Sequence, residues 1–350
     1  MLVLGIETSC DDTGVAIVRD GHQVLVNGVS SQPEHQRFGG VVPEIAARKH
    51  VEVLPGMLDA LLTSANLQLD DIDGIAVTRG PGLIGALLAG WCFGRGLARS
   101  CRLPYVGVHH LAAHVHGALM PALSAGMEIR YPILALIVSG GHTALYRVQE
   151  GPAYERLGAT RDDAAGEAFD KLAKLLELGF PGGPVIDRLA ADGDPQRYPL
   201  PRADLGLEFS FSGVKTAARR LALANALPPA SPEDQRVRDL AASFQCAVVD
   251  MLVDTTSRAA HAHPSSGLVL AGGVAANRHL RTRFANLADR LGQPLYVSPH
   301  ELSTDNAAMV AGAGYGRLGG GESDAFDLPA RASWPLEDPA PARASDPVTI

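Results

Sequence analysis

Apolar positions along this chain follow two patterns: short continuous runs, and longer stretches where they return every third or fourth residue. The first pattern predicts buried strands and the second amphipathic helices. Strands are predicted at Leu2–Glu7, Val15–Val18, Gly74–Val77, Tyr105–Val108, Ile133–Val138, Thr143–Val148, Gly267–Ala271 and Pro294–Val297. Helices are predicted over Pro43–His50, Val51–Ala65, Leu83 to about Arg99, Asp162–Leu178, from Phe209 on, Glu233 to about Ala262, Arg278–Leu291 and Ser303–Gly316. Both halves open on a strand, a small-residue turn and a strand: Leu2–Glu7 with Thr8–Gly14, then Ile133–Val138 with Ser139–His142. That echo predicts a duplicated α/β lobe whose hairpins face phosphate across a cleft.

Chemistry concentrates at the ends of the predicted strands. Tyr105–Val108 delivers His109, His110, His114 and His116, and His110 and His114 lie one helical turn apart on one face. Such a pair can share a divalent metal or be a buried pair satisfied by carbonyls; the density of histidine beside a glycine-rich strand end favours metal. Asp305, in Ser303–Ala307, is either a plain helix cap or a third, oxygen ligand that leaves coordination positions open. Asp11 and Asp12, in the first hairpin loop, are candidates for the general base. Gly80–Gly85 satisfies a dinucleotide fingerprint, but the next carboxylate is Glu128, so a Rossmann site is rejected and the glycines are assigned to close packing. Asp170 and Asp187 could accept from sugar hydroxyls, and Gly272–Asn277 at a strand end lets a flat ligand approach backbone.

At 350 residues the chain has room for two domains. Its net charge of −8 argues against a simple nucleic-acid binder, yet 74–127 and 209–231 hold no carboxylate. Arg95, Arg99, Lys215 and Arg219 in those stretches are assigned to a local basic surface. The longest near-apolar stretch is too short for a bilayer, no basic leader precedes Leu2, and the four cysteines form no CxxC pair. A reduced, cytoplasmic setting without membrane attachment is expected.

The segments GIETSCDDTG (5–14), GGVVPE (39–44), GPGLIG (80–85), HHLAAH (109–114), VSGGHT (138–143), DDAAGEAFDK (162–171), PGGP (181–184), FSFSGVKT (209–216), AGGVAAN (271–277) and STDNA (303–307) together resemble the bacterial TsaD family. This is the family of tRNA threonylcarbamoyladenosine transferases, and the resemblance covers all but the tail. It implies the two-lobed actin, sugar-kinase and Hsp70-like ATPase fold with a central cleft. An N-terminal lobe over 1–129, completed by the helix at about 305–320, a C-terminal lobe over 130–304 and a disordered tail over 337–350 are expected. The implied reaction moves threonylcarbamoyl from threonylcarbamoyl-AMP to N6 of the adenosine beside the anticodon. By motif, His110, His114 and Asp305 would hold one divalent metal per chain, Fe2+ with Zn2+ as alternative. Ile137, Val138, Ser139, Gly140, Gly141, Asp170, Gly183, Asp187 and Asn277 would bind the nucleotide, ATP or the adenylate. The implied partners are tRNA, TsaB-like and TsaE-like proteins, the first docking at Gly80–Arg99, and a TsaC-like synthase. An ATPase or sugar kinase of the same fold is the alternative. A metalloendopeptidase is disfavoured because Leu111 stands where HExxH needs glutamate.

Overall fold

The computed structural model describes residues 1–338 apart from Pro152; the chain from 339 on, where most of the tail is expected, lies outside them. Two compact units emerge, Met1–Ile129 with the chain from Ser298 onward, and Arg130–Val297. The return to the first unit falls at Ser298, before the predicted helix, because Ser298–Ser303 is a self-bonded turn: Ser303 Oγ donates to the Ser298 and Pro299 carbonyls at 3.2 and 2.8 Å.

The first unit is built on β1 (Leu2–Glu7), β2 (Thr13–Arg19), β3 (Gln23–Ser30), β4 (Gly74–Gly80) and β5 (Tyr105–His109), in the order β3-β2-β1-β4-β5. β1 and β2 form an antiparallel hairpin, and β1, β4 and β5 run parallel. Its helices are α1 (Pro43–Ala65), α2 (Ile84–Cys101), α3 (His110–Ser124) and, from the chain's end, α9 (Ala307–Gly319). Successive strand residues point to opposite faces, and both faces are covered. Val3, Ala16, Val18, Ala76 and Val106 pack under α3 and α9. Leu4, Ile6, Val15, Ile17 and Val77 pack under α1 and α2. That double burial explains why β1 and β4 read as continuous apolar runs.

The second unit repeats the arrangement with β6 (Ile133–Val138), β7 (Thr143–Val148), β8 (Tyr154–Ala159), β9 (Leu268–Ala271) and β10 (Leu295–Val297), in the order β10-β9-β6-β7-β8. Again the first two strands form a hairpin and the first, fourth and fifth run parallel. Leu134, Leu136 and Val138 bury against α4 (Ala165–Leu175), α5 (Gly182–Ala190), α6 (Ser212–Ala224), α7 (Gln235–Ala262) and α8 (Arg278–Leu291). β3 and β8 escape the pattern analysis because they are edge strands whose mixed, partly exposed faces carry no clean apolar run. The two helices predicted over 43–65 are one: Pro55 lies inside α1, where α1 continues through Leu58 and Leu62, buried against the sheet.

Candidate metal and substrate site

β5 ends at His109, whose Nδ1 accepts from the Leu111 N–H at 3.2 Å and caps α3. His110 and His114 therefore occupy the first two turns, with ring centroids 4.7 Å apart and edges toward faces. Both Nε2 atoms aim at Asp305 Oδ1, at 3.6 Å from His110 and 3.1 Å from His114. The three candidate ligand atoms lie within 4.8 Å of one another. Asn306, not Asp305, caps α9: its Oδ1 accepts from the Met309 N–H at 3.0 Å. Glycine lets α9 start so close to the hairpin, since a Cβ on Gly5 would stand 2.2 Å from the Ala307 carbonyl oxygen.

Behind the pair lies a residue the sequence reading missed. Glu7, fully buried at the end of β1, accepts from Ser9 N–H and Thr78 Oγ1, each at 2.5 Å, and meets His110 Nδ1 at 3.1 Å. A carboxylate closing the apolar run LVLGIE was the available signal. Burial opposes charge on His110, but Asp305 and Glu7 outweigh it and raise its pKa to about 9. Burial likewise opposes ionisation of Glu7, and the His110 pairing holds its pKa low. The cluster is thus built around positive charge. Two imidazole nitrogens and a carboxylate oxygen, one imidazole oriented from behind by a carboxylate, fit a borderline divalent metal with positions left open.

The first hairpin loop adds Asp12, whose half-buried carboxyl is pushed up to about 6, mainly by burial and against a Ser31 hydrogen bond, with Asp305, Asp11 and Glu7 adding repulsion. Burial and Asp11 push the Cys10 thiol well above its ordinary range, which disfavours the thiolate.

In the second unit, Ile137 and Val138 finish β6, and Ser139–Gly141 makes an open turn closed by Ser139 N–H to His142 O at 2.8 Å. A Cβ on Gly140, Gly141, Gly183 or Gly273 would meet nothing within 4 Å. The polar candidates already hold structure. Asp170 Oδ1 takes the Gly182 N–H at 2.7 Å and secures the start of α5. Asp187 pairs with Arg278 at 2.8 Å. Asn277 caps α8 through Leu280 N–H at 2.9 Å and donates to Gln245 at 2.7 Å.

Comparison with known proteins follows from this geometry. The family described as TsaD, tRNA N6-adenosine threonylcarbamoyltransferase, matches residues 23–312. A protein of that name from Syntrophotalea carbinolica is 48% identical over 98% of this chain and 100% of its own length. One from Geobacter metallireducens is 49% identical over 96% and 98%. The chain belongs to the TsaD family. It is accordingly an enzyme of the tRNA N6-adenosine threonylcarbamoyltransferase type. Among solved structures, HypF from T. kodakarensis aligns with TM-score 0.56 at 16% identity, over 91% of this chain and 47% of that one. Component A of the Acidaminococcus fermentans (R)-2-hydroxyglutaryl-CoA dehydratase aligns with TM-score 0.53 at 17% identity, over 91% and 99%. These likenesses, with the duplicated sheet order, show the actin-like ATPase and sugar-kinase fold.

For this TsaD-family chain the GPGLIG glycines have intrachain reasons. A Cβ on Gly80 would stand 2.0 Å from the Arg331 carbonyl oxygen, and one on Gly82 2.4 Å from that of Ser9. The basic residues divide. Lys215 pairs with Asp163 and Arg95 lies over Trp91 at 5.9 Å; Arg99, over Phe326 at 5.6 Å, and Arg219 are both exposed. Val51, Ile84 and Leu88, on α1 and α2, are exposed at 64%, 49% and 44%. Among the described residues no helix is long and apolar enough to cross a membrane.

Proposed function

We propose that this enzyme transfers threonylcarbamoyl from threonylcarbamoyl-AMP to N6 of the adenosine adjacent to the anticodon, at a site holding one Fe2+ on His110, His114 and Asp305, with Zn2+ as the substitute. The observation that carries this reading is the convergence of those three side chains within 4.8 Å, backed by Glu7, in a chain of this family. In the transfer the N6–carbon bond forms, the carbon–oxygen bond to phosphate breaks, AMP leaves and one amine proton passes to a base. The donor is a mixed anhydride, so no protein nucleophile is needed. A bound divalent metal supplies Lewis-acid polarisation or neutralises phosphate charge. Glu7 fixes the His110 ring, and the Ser139–Gly141 turn with Gly183 leaves room for a nucleotide against backbone N–H groups. Asp170 holds the start of α5 by accepting the Gly182 N–H. Asp12, whose carboxyl is pushed up to about 6 by burial, and Asp11 are the candidate proton acceptors of the first hairpin loop. A TsaB-like protein covers Val51, Ile84 and Leu88; a TsaE-like protein and a TsaC-like synthase complete a cytoplasmic system.

The test is a reconstituted transfer with unmodified tRNA, preformed threonylcarbamoyl-AMP and the partner proteins, comparing wild type with His110→Ala/His114→Ala. Modified adenosine from wild type alone supports the reading. Product from both demotes the histidines, and ATP hydrolysis without product from either moves an ATPase to first place.

A further inference from the structure

From Asp324 to Trp334 the chain runs as a strap from the start of β5, at Tyr105, to its carboxyl end, at His109, and hydrogen bonds recur along it. Asp324 N–H donates to Tyr105 O at 2.8 Å, and Asp324 Oδ2 takes Gly107 N–H at 2.7 Å. Trp91 Nε1 donates to Leu328 O at 2.9 Å, and Arg79 Nε to Pro329 O at 2.9 Å. Arg331 N–H then reaches Arg79 O at 2.8 Å, and Gly82 N–H reaches Ala332 O at 3.1 Å. The strap ends at buried Trp334, whose carbonyl oxygen lies 2.9 Å from His109 Nε2 and whose ring centroid stands 4.8 Å from that of His109. The Arg79 and Arg331 guanidinium groups lie over the same indole at 4.7 and 5.4 Å.

This contact decides the state of His109. A carbonyl oxygen only accepts, so Nε2 carries the hydrogen; Nδ1 of the neutral ring is then the acceptor that Leu111 N–H needs. Without that acceptor the first turn of α3 loses a cap. His110 opens that turn.

We propose that Trp334 is a positioning residue, acting through His109 to hold the first turn of α3 and so aim His110. Its consequence for metal rests on the function proposed above; the ordering of α3 does not. The indole Nε1 is buried without a hydrogen-bond partner, so Trp334→Phe keeps the stack and loses no bond.

The experiment uses the full chain as wild type, W334F, W334A and W334L, the last filling volume should alanine fail to fold. Amide exchange of the metal-free proteins is followed over 109–116 by mass spectrometry. W334A or W334L is expected to speed exchange there at least about tenfold, with 240–252 in the second unit unchanged and W334F within twofold of wild type. Titration with Co2+ reads the second arm: about tenfold weaker binding and an altered visible ligand-field band in W334A or W334L, restored in W334F. Exchange over 109–116 within twofold of wild type in W334A or W334L overturns the proposal. Faster exchange there in a protein whose wild type binds no Co2+ upholds the strap and refutes the metal reading instead.

Discussion

Replacing Glu7 by glutamine tests whether the residue behind His110 serves the metal site or only the fold. Glu7 accepts through both oxygens: Oε1 from Ser9 N–H, and Oε2 from Thr78 Oγ1 and His110 Nδ1. An amide has a single acceptor oxygen. If it faces Thr78 and His110, its NH2 faces the Ser9 N–H, and a buried donor pair costs about 1–3 kcal/mol of stability. The bond to His110 also changes from charge-assisted to neutral, which about halves it. Loss of such an outer carboxylate weakens metal binding by about 10- to 100-fold, or roughly 1.4–2.7 kcal/mol at 1.36 per decade. The assay is chelator competition with Zn2+ or Co2+ on wild type and E7Q, beside thermal melts of both metal-free proteins. Expected is a lower melting temperature together with the affinity loss. A lowered melting temperature with metal affinity within twofold of wild type would refute the reasoning, leaving Glu7 as a buried structural acid.

Asp12 links to pH. Its carboxyl pKa is raised to about 6 in the fold, so the neutral form stabilises; that contribution is full below the unfolded value near 4 and lost as pH rises through 6. Metal-free Asp12→Asn should therefore gain stability over wild type above pH 6, by about 1–2 kcal/mol after allowing for partial exposure, as read by urea melts at pH 4.5 and 7.5. The same variant should abolish any rate limb near pH 6 in single-turnover transfer; an unchanged rate and profile would exclude Asp12 as base. Asn306→Ala removes the α9 cap and donations to the Leu302 and Thr304 carbonyls at 3.1 and 2.8 Å, so denaturant melts should show a loss of about 2–4 kcal/mol. Gly140→Ala and Gly141→Ala meet no neighbour, so both should melt as wild type while AMP affinity, read by calorimetry, falls at least about tenfold. Joint charge reversal of Arg95, Arg99, Lys215 and Arg219 should flatten the salt dependence of tRNA affinity, and Arg219→Glu alone should cost more than Lys215→Glu, because Lys215 already neutralises Asp163.

What could be read from the sequence was whatever rests on local periodicity. The one-turn spacing of His110 and His114, the apolar runs of β1 and β6 and the small-residue turn after β6 all depend on neighbours within a few residues. What escaped depends on distant chain. Glu7 meets His110 across 103 positions, and Trp334 meets His109 across 225. No local pattern encodes either distance. Capping was legible in kind but not in assignment: Ser303–Ala307 announces a helix start, yet which of Asp305 and Asn306 caps it depends on where α9 is pressed against Gly5 and Gly14. The polar residues of the second unit show the converse. Asp187 and Asn277 read as ligand groups because of their motifs; in the fold one Asp187 oxygen pairs with Arg278 and the Asn277 oxygen caps α8.

The two units solve one backbone problem with different chemistry. In each, a strand enters an antiparallel hairpin beside two parallel strands, so its carboxyl end is where functional groups collect. At that end the first unit places Glu7, paired with Gly14, and the second places Val138, paired with Thr143. The carboxylate draws Ser9, Thr78 and His110 inward and fills its strand end with side chains. Val138 draws in no such partners; the glycines beyond it stay exposed, and a Cβ on Gly140 or Gly141 would meet nothing within 4 Å. One copy has therefore become a concentrated charge cluster suited to a cation, and the other a bare backbone turn suited to a flat or anionic ligand. In the proposed transfer, activating a carbonyl and releasing a nucleotide would call for two such different surfaces.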